Sequence, residues 1–302
     1  MAAEGSGGAA LRASGWINWK RMRRSVTLLF VVAVASVNAF PIYWMVVTSV
    51  RPEDEIISKP PKILPTGKLT AQNYRNVLSG FSGGVRITER ATTFLWNSLC
   101  VATVSTFLTL LLAAPAAYAL VRLWFPAREV AAGLVLICYL VPPLALIVPV
   151  FVICVRMGLQ NSLTGLTIVE TVFNLPIALW LMRGYLVGMP VEVEEAAEVD
   201  GCTRLQVVSR IALPMAMPGV TVVTVVCFLN AWNSYLFPLI LIRQEPVKTA
   251  ALGLALYLNE QIGMVWGEMM AAGTIIAIPI LVLFLLVHRH LTGGITVGAI
   301  KG

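Results

Sequence analysis

The sequence predicts an all-α membrane protein of six transmembrane helices, and three observations predict it. Of 302 residues, 58% are hydrophobic and only 12% are charged, about half the charge that a soluble domain carries. The mean hydropathy is +0.83. The uncharged residues are also gathered into long runs rather than spread along the chain. About 20 apolar residues in a helix cross the roughly 30 Å of bilayer hydrocarbon. The runs 25–50, 91–121, 130–155, 211–242 and 269–287 meet or approach that length, and 157–182 does so with Glu170 as its one interruption.

Taken in order, the first fifteen residues are rich in Gly and Ala and read as a disordered start to a tail spanning 1–24. Lys20, Arg21, Arg23 and Arg24 then precede the first run. That basic start resembles a signal peptide, but the apolar run is too long for one and lacks a cleavage site, so it is expected to stay as an uncleaved helix. Segment 51–90 carries Pro52, Pro60, Pro61 and Pro65, a density that argues for a folded or extended surface segment over a continuous helix. Runs 91–121 and 211–242 exceed what a crossing needs and must tilt, kink or project into water, with Pro115 and Pro218 as sites for irregularity. Residues 25–290 form one six-helix domain and 291–302 a second tail, with no internal repeat and no second domain.

Six crossings place both termini on one side, and the basic N-terminal cluster marks that side as cytoplasmic. Segments 51–90, 156–163 and 243–268 then face outward, and 122–129, 188–210 and the tail from 288 face inward. Lys and Arg divide almost evenly between the two sides, so the N-terminal cluster is the main warrant for this orientation. Trp16, Trp19, Trp44, Trp96 and Trp124 fall near expected interfaces, as an aromatic belt does.

The net charge of +7 and pI near 9.4 reflect Lys and Arg flanking the spans. No basic stripe with interleaved aromatics appears, which excludes nucleic acid as a partner. Cys100, Cys138, Cys154, Cys202 and Cys227 form no C-x-x-C pair and read as free thiols, most of them in apolar runs. His288 and His290 flank Arg289 at the end of the last run, a basic cluster at a membrane surface rather than a metal site.

The loop 188–217 is the most informative stretch. Pro190 suits the first position of a helix, and Glu192, Glu194 and Glu195 then fall where the helix dipole favours acids. Gly201 is placed to end that helix in the left-handed conformation, and a second short helix is expected from about Thr203 to Leu213, stopping near Pro214. Glu192, Glu194, Glu195, Glu198 and Asp200 against Arg204 and Arg210 give residues 188–210 a charge of −3, on the side where positive charge is usual. A surface docked into a basic groove explains that sign, and so does a solvated acidic loop.

Glu195-Ala196-Ala197, then Gly201 after three intervening residues, then Ile211-x-Leu213-Pro214, resembles the EAA motif of the membrane subunits of bacterial ATP-binding-cassette (ABC) importers, with every spacing matched. Ser49-Val50-Arg51-Pro52, Asn73-Tyr74, Ala231-Trp232-Asn233 with Phe237-Pro238-Leu239, and the glycine-rich end from Leu291 to Gly302 are similar to the carbohydrate-uptake branch, on the side of the smaller maltose-permease-type subunit. The resemblance covers nearly the whole chain after about residue 25. It implies a type I ABC importer permease fold in the bacterial inner membrane. It also implies a heterodimer with a second permease subunit, two copies of an ABC ATPase subunit and an external substrate-binding protein. ATP and Mg would bind the ATPase, and this chain would hold no cofactor, no metal and no catalytic residue. Residues 191–201 would be the coupling helix, with Glu195, Ala196, Ala197, Asp200, Gly201, Ile211, Leu213 and Pro214 carrying the ATPase contact, and Gly298, Lys301 and Gly302 a secondary one. The absence of a G-x-x-x-x-G-K-[ST] loop agrees with ATP hydrolysis on a separate chain.

For the path, Glu170 is the one acid well inside a span, and an intramembrane charge points to function; pairing with a neighbouring subunit is the other reading. Asn174, Asn230 and Asn233 either line a hydrated path or join helices. Arg183 is expected to snorkel. Cargoes compatible with this branch include sugars, polyols, amino sugars and glycerol phosphates. A self-contained secondary transporter would need broken helices in corresponding halves and coupling-ion residues, and a membrane-embedded enzyme would need a catalytic constellation; the sequence offers neither.

Overall fold

The structure, a computed structural model, describes residues 7–58, 67, 69–82, 85–86, 91–255 and 265–298. Helix α1 runs from Gly7 to Ser49, and its apolar part is Met22–Ser49. The expectation of a disordered start is corrected from residue 7 onward. Ala9, Ala10, Leu11, Arg12 and Ala13 are strong helix formers, and no proline interrupts them before Pro41. The chain then forms α2 (Glu53–Ile56), α3 (Gln72–Ser79) and a minimal antiparallel pair, β1 (Phe81–Ser82) with β2 (Val85–Arg86). Pro60, Pro61 and Pro65 lie outside the described residues.

Helix α4 (Ala91–Arg122) continues unbroken through Pro115. The run 130–155, expected as one rod, is instead α5 (Arg128–Leu140) and α6 (Ile147–Arg156), turned through 88° about a 3-10 turn at Pro143–Leu146. Val141-Pro142-Pro143 is the cause. A residue before proline is driven to extended backbone, as Val141 is with ψ 120°, and the two prolines donate no N–H. Helix α7 (Leu163–Val187) starts at Ser162, whose hydroxyl accepts from Gly165 N–H.

Helix α8 (Glu192–Val199) and α9 (Arg204–Val207) follow, and α9 runs through a π-helical turn, Val208–Ala212, into α10 (Leu213–Met215). A 75° bend at Ala216 leads into α11 (Met217–Trp232), with Pro218 in its first turn. After a break at 233–235 come α12 (Leu236–Leu241), α13 (Ala250–Leu254) and α14 (Trp266–Gly298). Four helices among the described residues are long and apolar enough to cross a membrane, and counting each of the two bent pairs as one broken span brings the number to six.

Helix α4 packs on α7 and α11, and α1 lies against α14. Ala113, Ala117, Ala178, Ala212 and Ala216 are fully or almost fully buried at these contacts. Small residues allow the close backbone approach that lipid, offering no hydrophobic drive, otherwise fails to reward. On α1, Leu28, Leu29, Phe30 and Val32 are more than half exposed, as a lipid-facing rod is. Of the tryptophans expected in an interfacial belt, Trp19, Trp96 and Trp124 are exposed; Trp232, outside that set, is buried with Ala102 and Ala231.

Contacts distant in sequence sort the loops into two ends. At one end Asn97 Nδ2 donates to Pro246 and Lys248 carbonyls, Asn161 Oδ1 accepts from Arg243 N–H, and the Glu53 carboxylate accepts from the N–H groups of Trp266 and Gly267 at 3.0 Å. That carboxylate satisfies orphan donors at the start of α14, where the helix dipole favours it. At the other end lie α8, α9 and the close of α4.

Candidate functional site

Local chemistry shapes the α8–α9 hairpin. Glu192, Glu194 and Glu195 occupy the first turn of α8. Pro190 precedes the N-cap, Val191, rather than filling the first helical position. The far end closes as a Schellman motif: Cys202 N–H bonds Ala197 O at 3.0 Å, Gly201 N–H bonds Glu198 O at 3.1 Å, and Gly201 has φ +90°. A β-carbon there meets no atom within 4 Å, so glycine is required by backbone conformation and not by space. Thr203 and Gln206 then form a capping box that starts α9. The second helix extends past Pro214 to Met215, because the π-helical turn carries the chain onward to the bend at Ala216.

Two neighbouring acids of α8 have opposite environments. Glu194 is buried, its Oε1 accepting from Arg122 Nε at 2.8 Å and its Oε2 from the Tyr118 hydroxyl at 2.9 Å. Arg122 also donates through Nη2 to Met189 O at 3.1 Å. The side chains of Arg122 and Glu194 are 11% and 6% exposed, so this is a buried pair with additional hydrogen bonds at both partners, the arrangement that offsets desolvation. It fastens α8 to the end of α4. Glu195, Ala196 and Asp200 are exposed, and beside them Val199 and Leu205 are 87% and 77% exposed. Ala197 turns inward with Glu194. Leu213 packs on the bundle core, Ile211 is half-buried and Pro214 is exposed next to the bend. Sequence reasoning missed Tyr118, Arg122 and Glu194. The i, i+3 spacing of Glu194 and Ala197 marks a shared face, but no local signal joins Glu194 to an arginine 72 residues away.

A second feature lies within the membrane spans. A cavity of about 770 Å³ is lined by Glu170 and Asn174 of α7, Asn230 of α11, and Asn233, Ser234 and Tyr235 of the break before α12. All four residues read as pathway candidates are thus brought together. Both chain interruptions also reach this wall, through Val141 and Pro143 and through residues 233–235. Irregular backbone at membrane depth is tolerated where it lines a cavity, so the two breaks and the cavity account for one another. Pro176 lies on the same wall and leaves the Val172 carbonyl without its usual helical donor. Asn230 Nδ2 donates to Asn174 Oδ1 at 3.0 Å, tying α11 to α7. Asn174 and Asn230 therefore both line the cavity and join helices. Glu170 is 4% exposed, Ser234 lies near its carboxyl, and its Oε1 has no partner among the described residues.

Arg183, expected to snorkel, approaches the exposed Glu129 at 3.8 Å with its guanidinium over the Trp180 ring. All five cysteines are free, and Cys138 lines the cavity. Gly298 ends α14, whereas Lys301 and Gly302 lie outside the described residues.

Residues 109–297 match the family model described as the binding-protein-dependent transport system inner membrane component. The diacetylchitobiose uptake system permease protein of Streptomyces coelicolor is 32% identical over 264 residues, covering 87% of this chain and 92% of that one. The trehalose/maltose transport system permease protein of Thermococcus litoralis is 28% identical over 281 residues, covering 93% and 98%. A solved bacterial ABC transporter involved in the import of the acidic polysaccharide alginate superposes with a TM-score of 0.75 at 20% identity, over 89% of this chain and 96% of that one. With the matched region reaching from the middle of α4 almost to the end of α14, and with the bundle shared with an ABC importer, the chain belongs to the family of inner-membrane components of binding-protein-dependent transport systems and is a multi-pass membrane permease.

Proposed function

We propose that the chain is one of two permease subunits of an ATP-driven sugar importer. It supplies half of the path through the cavity at Glu170 and takes its motion from a separate ATPase through α8. The basic cluster of Lys20, Arg21, Arg23 and Arg24, inside α1 at the start of its apolar part, supports a cytoplasmic side for both termini and the α8 end. An external binding protein then meets the opposite end, around Arg51, Asn97 and Asn161. ATP and Mg belong to two copies of the ATPase subunit.

The observation that carries this reading is how α8 is held. Glu194 fixes it to α4 by a buried ion pair, while Glu195 and the strongly exposed Val199 and Leu205 form the opposite face. A merely solvated acidic loop gives no reason for two exposed aliphatic side chains beside the acid. An interface with an apolar centre and a charged rim does. In a docked state α8 and α4 move together, because packed elements switch between discrete arrangements. The sugar assignment draws on the diacetylchitobiose and trehalose/maltose relatives and on a cavity furnished with amide, hydroxyl and carboxyl groups.

Affinity purification of the tagged chain from its own membranes tests the assembly. A nucleotide-hydrolysing subunit and a second permease are expected in the eluate, with ATP-dependent uptake of a neutral disaccharide such as trehalose or diacetylchitobiose after reconstitution with the binding protein. Uptake driven by an ion gradient with no ATPase present would favour a secondary transporter instead.

The turn makes a sharper prediction. Valine at φ +90° costs about 1–2 kcal/mol, so Gly201→Val loosens the exit from α8 and raises the ATP consumed per solute carried. Gly201→Asn, which tolerates that conformation, stays near the wild-type ratio. Equal ratios in both variants would contradict a coupling role for the turn.

A further inference from the structure

The cavity has an electrostatic character that the fold alone does not dictate, since the structural relative with the same bundle serves an acidic polysaccharide. Among the described residues lining it there is one carboxyl group, Glu170, and no lysine, arginine or histidine. The amides of Asn174 and Asn230 bond one another, and Ser234 reaches the carboxyl from the chain break. Glu170 Oε1 is left as a buried acceptor without a partner. The terminal torsion of a glutamate is soft, so a small rotation presents either oxygen to the cavity. A buried acceptor is costly to leave unpaired, and a site built this way discriminates against ligands that bring no donor. When ionised, the carboxylate repels an anion placed beside it in a medium that screens poorly.

We infer that this cavity excludes anionic cargo and accepts a donor-rich solute, neutral or amino-bearing, one of whose hydroxyl or ammonium groups donates to Glu170. The inference rests on the transport reading above and narrows it, setting glycerol phosphates and acidic sugars aside. It also sets aside a structural Glu170 that merely pairs with a basic residue of the second permease.

Cys138 lines the same cavity and is exposed, which provides a native reporter. In the purified complex in nanodiscs, Cys138 is modified with methanethiosulfonates carrying either trimethylammonium or sulfonate, with Cys138→Ser as the blank. A cysteine introduced by Asn233→Cys in that blank serves as a second, independent reporter. The cationic reagent is expected to react at least tenfold faster than the anionic one, relative to their ratio on a free thiol. Glu170→Gln is expected to remove that preference while leaving recovery of the complex unchanged. Trehalose and the glucosamine disaccharide chitobiose at millimolar concentration slow the modification, and a glucuronic-acid disaccharide does not.

Equal reagent rates, protection by the acidic disaccharide, or loss of the second permease in Glu170→Gln would each overturn the inference. So would inertness of both thiols, since the cavity would then not be hydrated. These labelling rates need no ATP. A failed ATP-driven uptake assay with the charge preference intact would therefore indict the importer reading and leave the cavity's selectivity standing.

Discussion

Glu194→Ala lowers the thermal stability of the permease and abolishes uptake. Removing this carboxylate leaves the Arg122 guanidinium, 11% exposed, without its counter-charge and the Tyr118 hydroxyl without its acceptor. Deleting one partner of a buried pair costs about 3–5 kcal/mol, more than most point substitutions cause. The loss concentrates at the joint between α4 and α8, so the hairpin detaches from the bundle and motion imposed on it no longer reaches the spans. Glu194→Gln retains an acceptor for Tyr118 and is expected to be milder. The double variant Glu194→Ala, Arg122→Ala removes both charges, and its penalty should fall well short of the sum of the two single penalties. Thermal unfolding by intrinsic fluorescence and uptake by reconstituted complexes read both quantities. A Glu194→Ala protein with wild-type stability and transport would show that the joint carries no load.

Glu195→Lys has the opposite profile. The side chain is exposed and outside the buried pair, so the isolated permease should unfold at nearly the wild-type temperature, as surface substitutions do. Uptake is nevertheless expected to fall to background and the yield of co-purified ATPase to drop sharply. Under the proposed docking the reversed charge meets a complementary basic group on the partner, and like charges brought together at an interface suppress association. Two adjacent glutamates would then separate two functions: one holds the helix to its own bundle, and the other is proposed to present it to the motor. Wild-type uptake and complex yield in Glu195→Lys would remove the second half of that statement.

Much of this arrangement is legible in the chain because its causes are local. Run lengths mark the spans, acids mark the start of α8, Gly201 marks its left-handed exit, and a second short helix is expected from about Thr203. Glu170, Asn174, Asn230 and Asn233 line one cavity, and the sequence marks them only as polar side chains in apolar runs, which either line a path or join helices. What the sequence hides is long-range or directional. The 88° turn between α5 and α6 needs Val141-Pro142-Pro143 to act as a break where a hydropathy run looks continuous. The pairing of Glu194 with Arg122 and Tyr118 requires the three-dimensional crossing of α4 under α8. Helical periodicity alone does not say which of two consecutive glutamates faces inward. The helical start at Gly7 reflects propensities that Gly-rich composition masks.

The central claim is that the outer face of α8 is covered by an ATPase. Its most direct test places a cysteine at Val199, 87% exposed in the isolated chain, by Val199→Cys in a background lacking the native cysteines. The account predicts that a water-soluble maleimide labels this thiol rapidly in the permease alone. In the assembled transporter it predicts protection from the maleimide, together with a short-range cross-link to the nucleotide-binding subunit. Equally rapid labelling in the presence of a bound, active ATPase, with no cross-link formed, would contradict it.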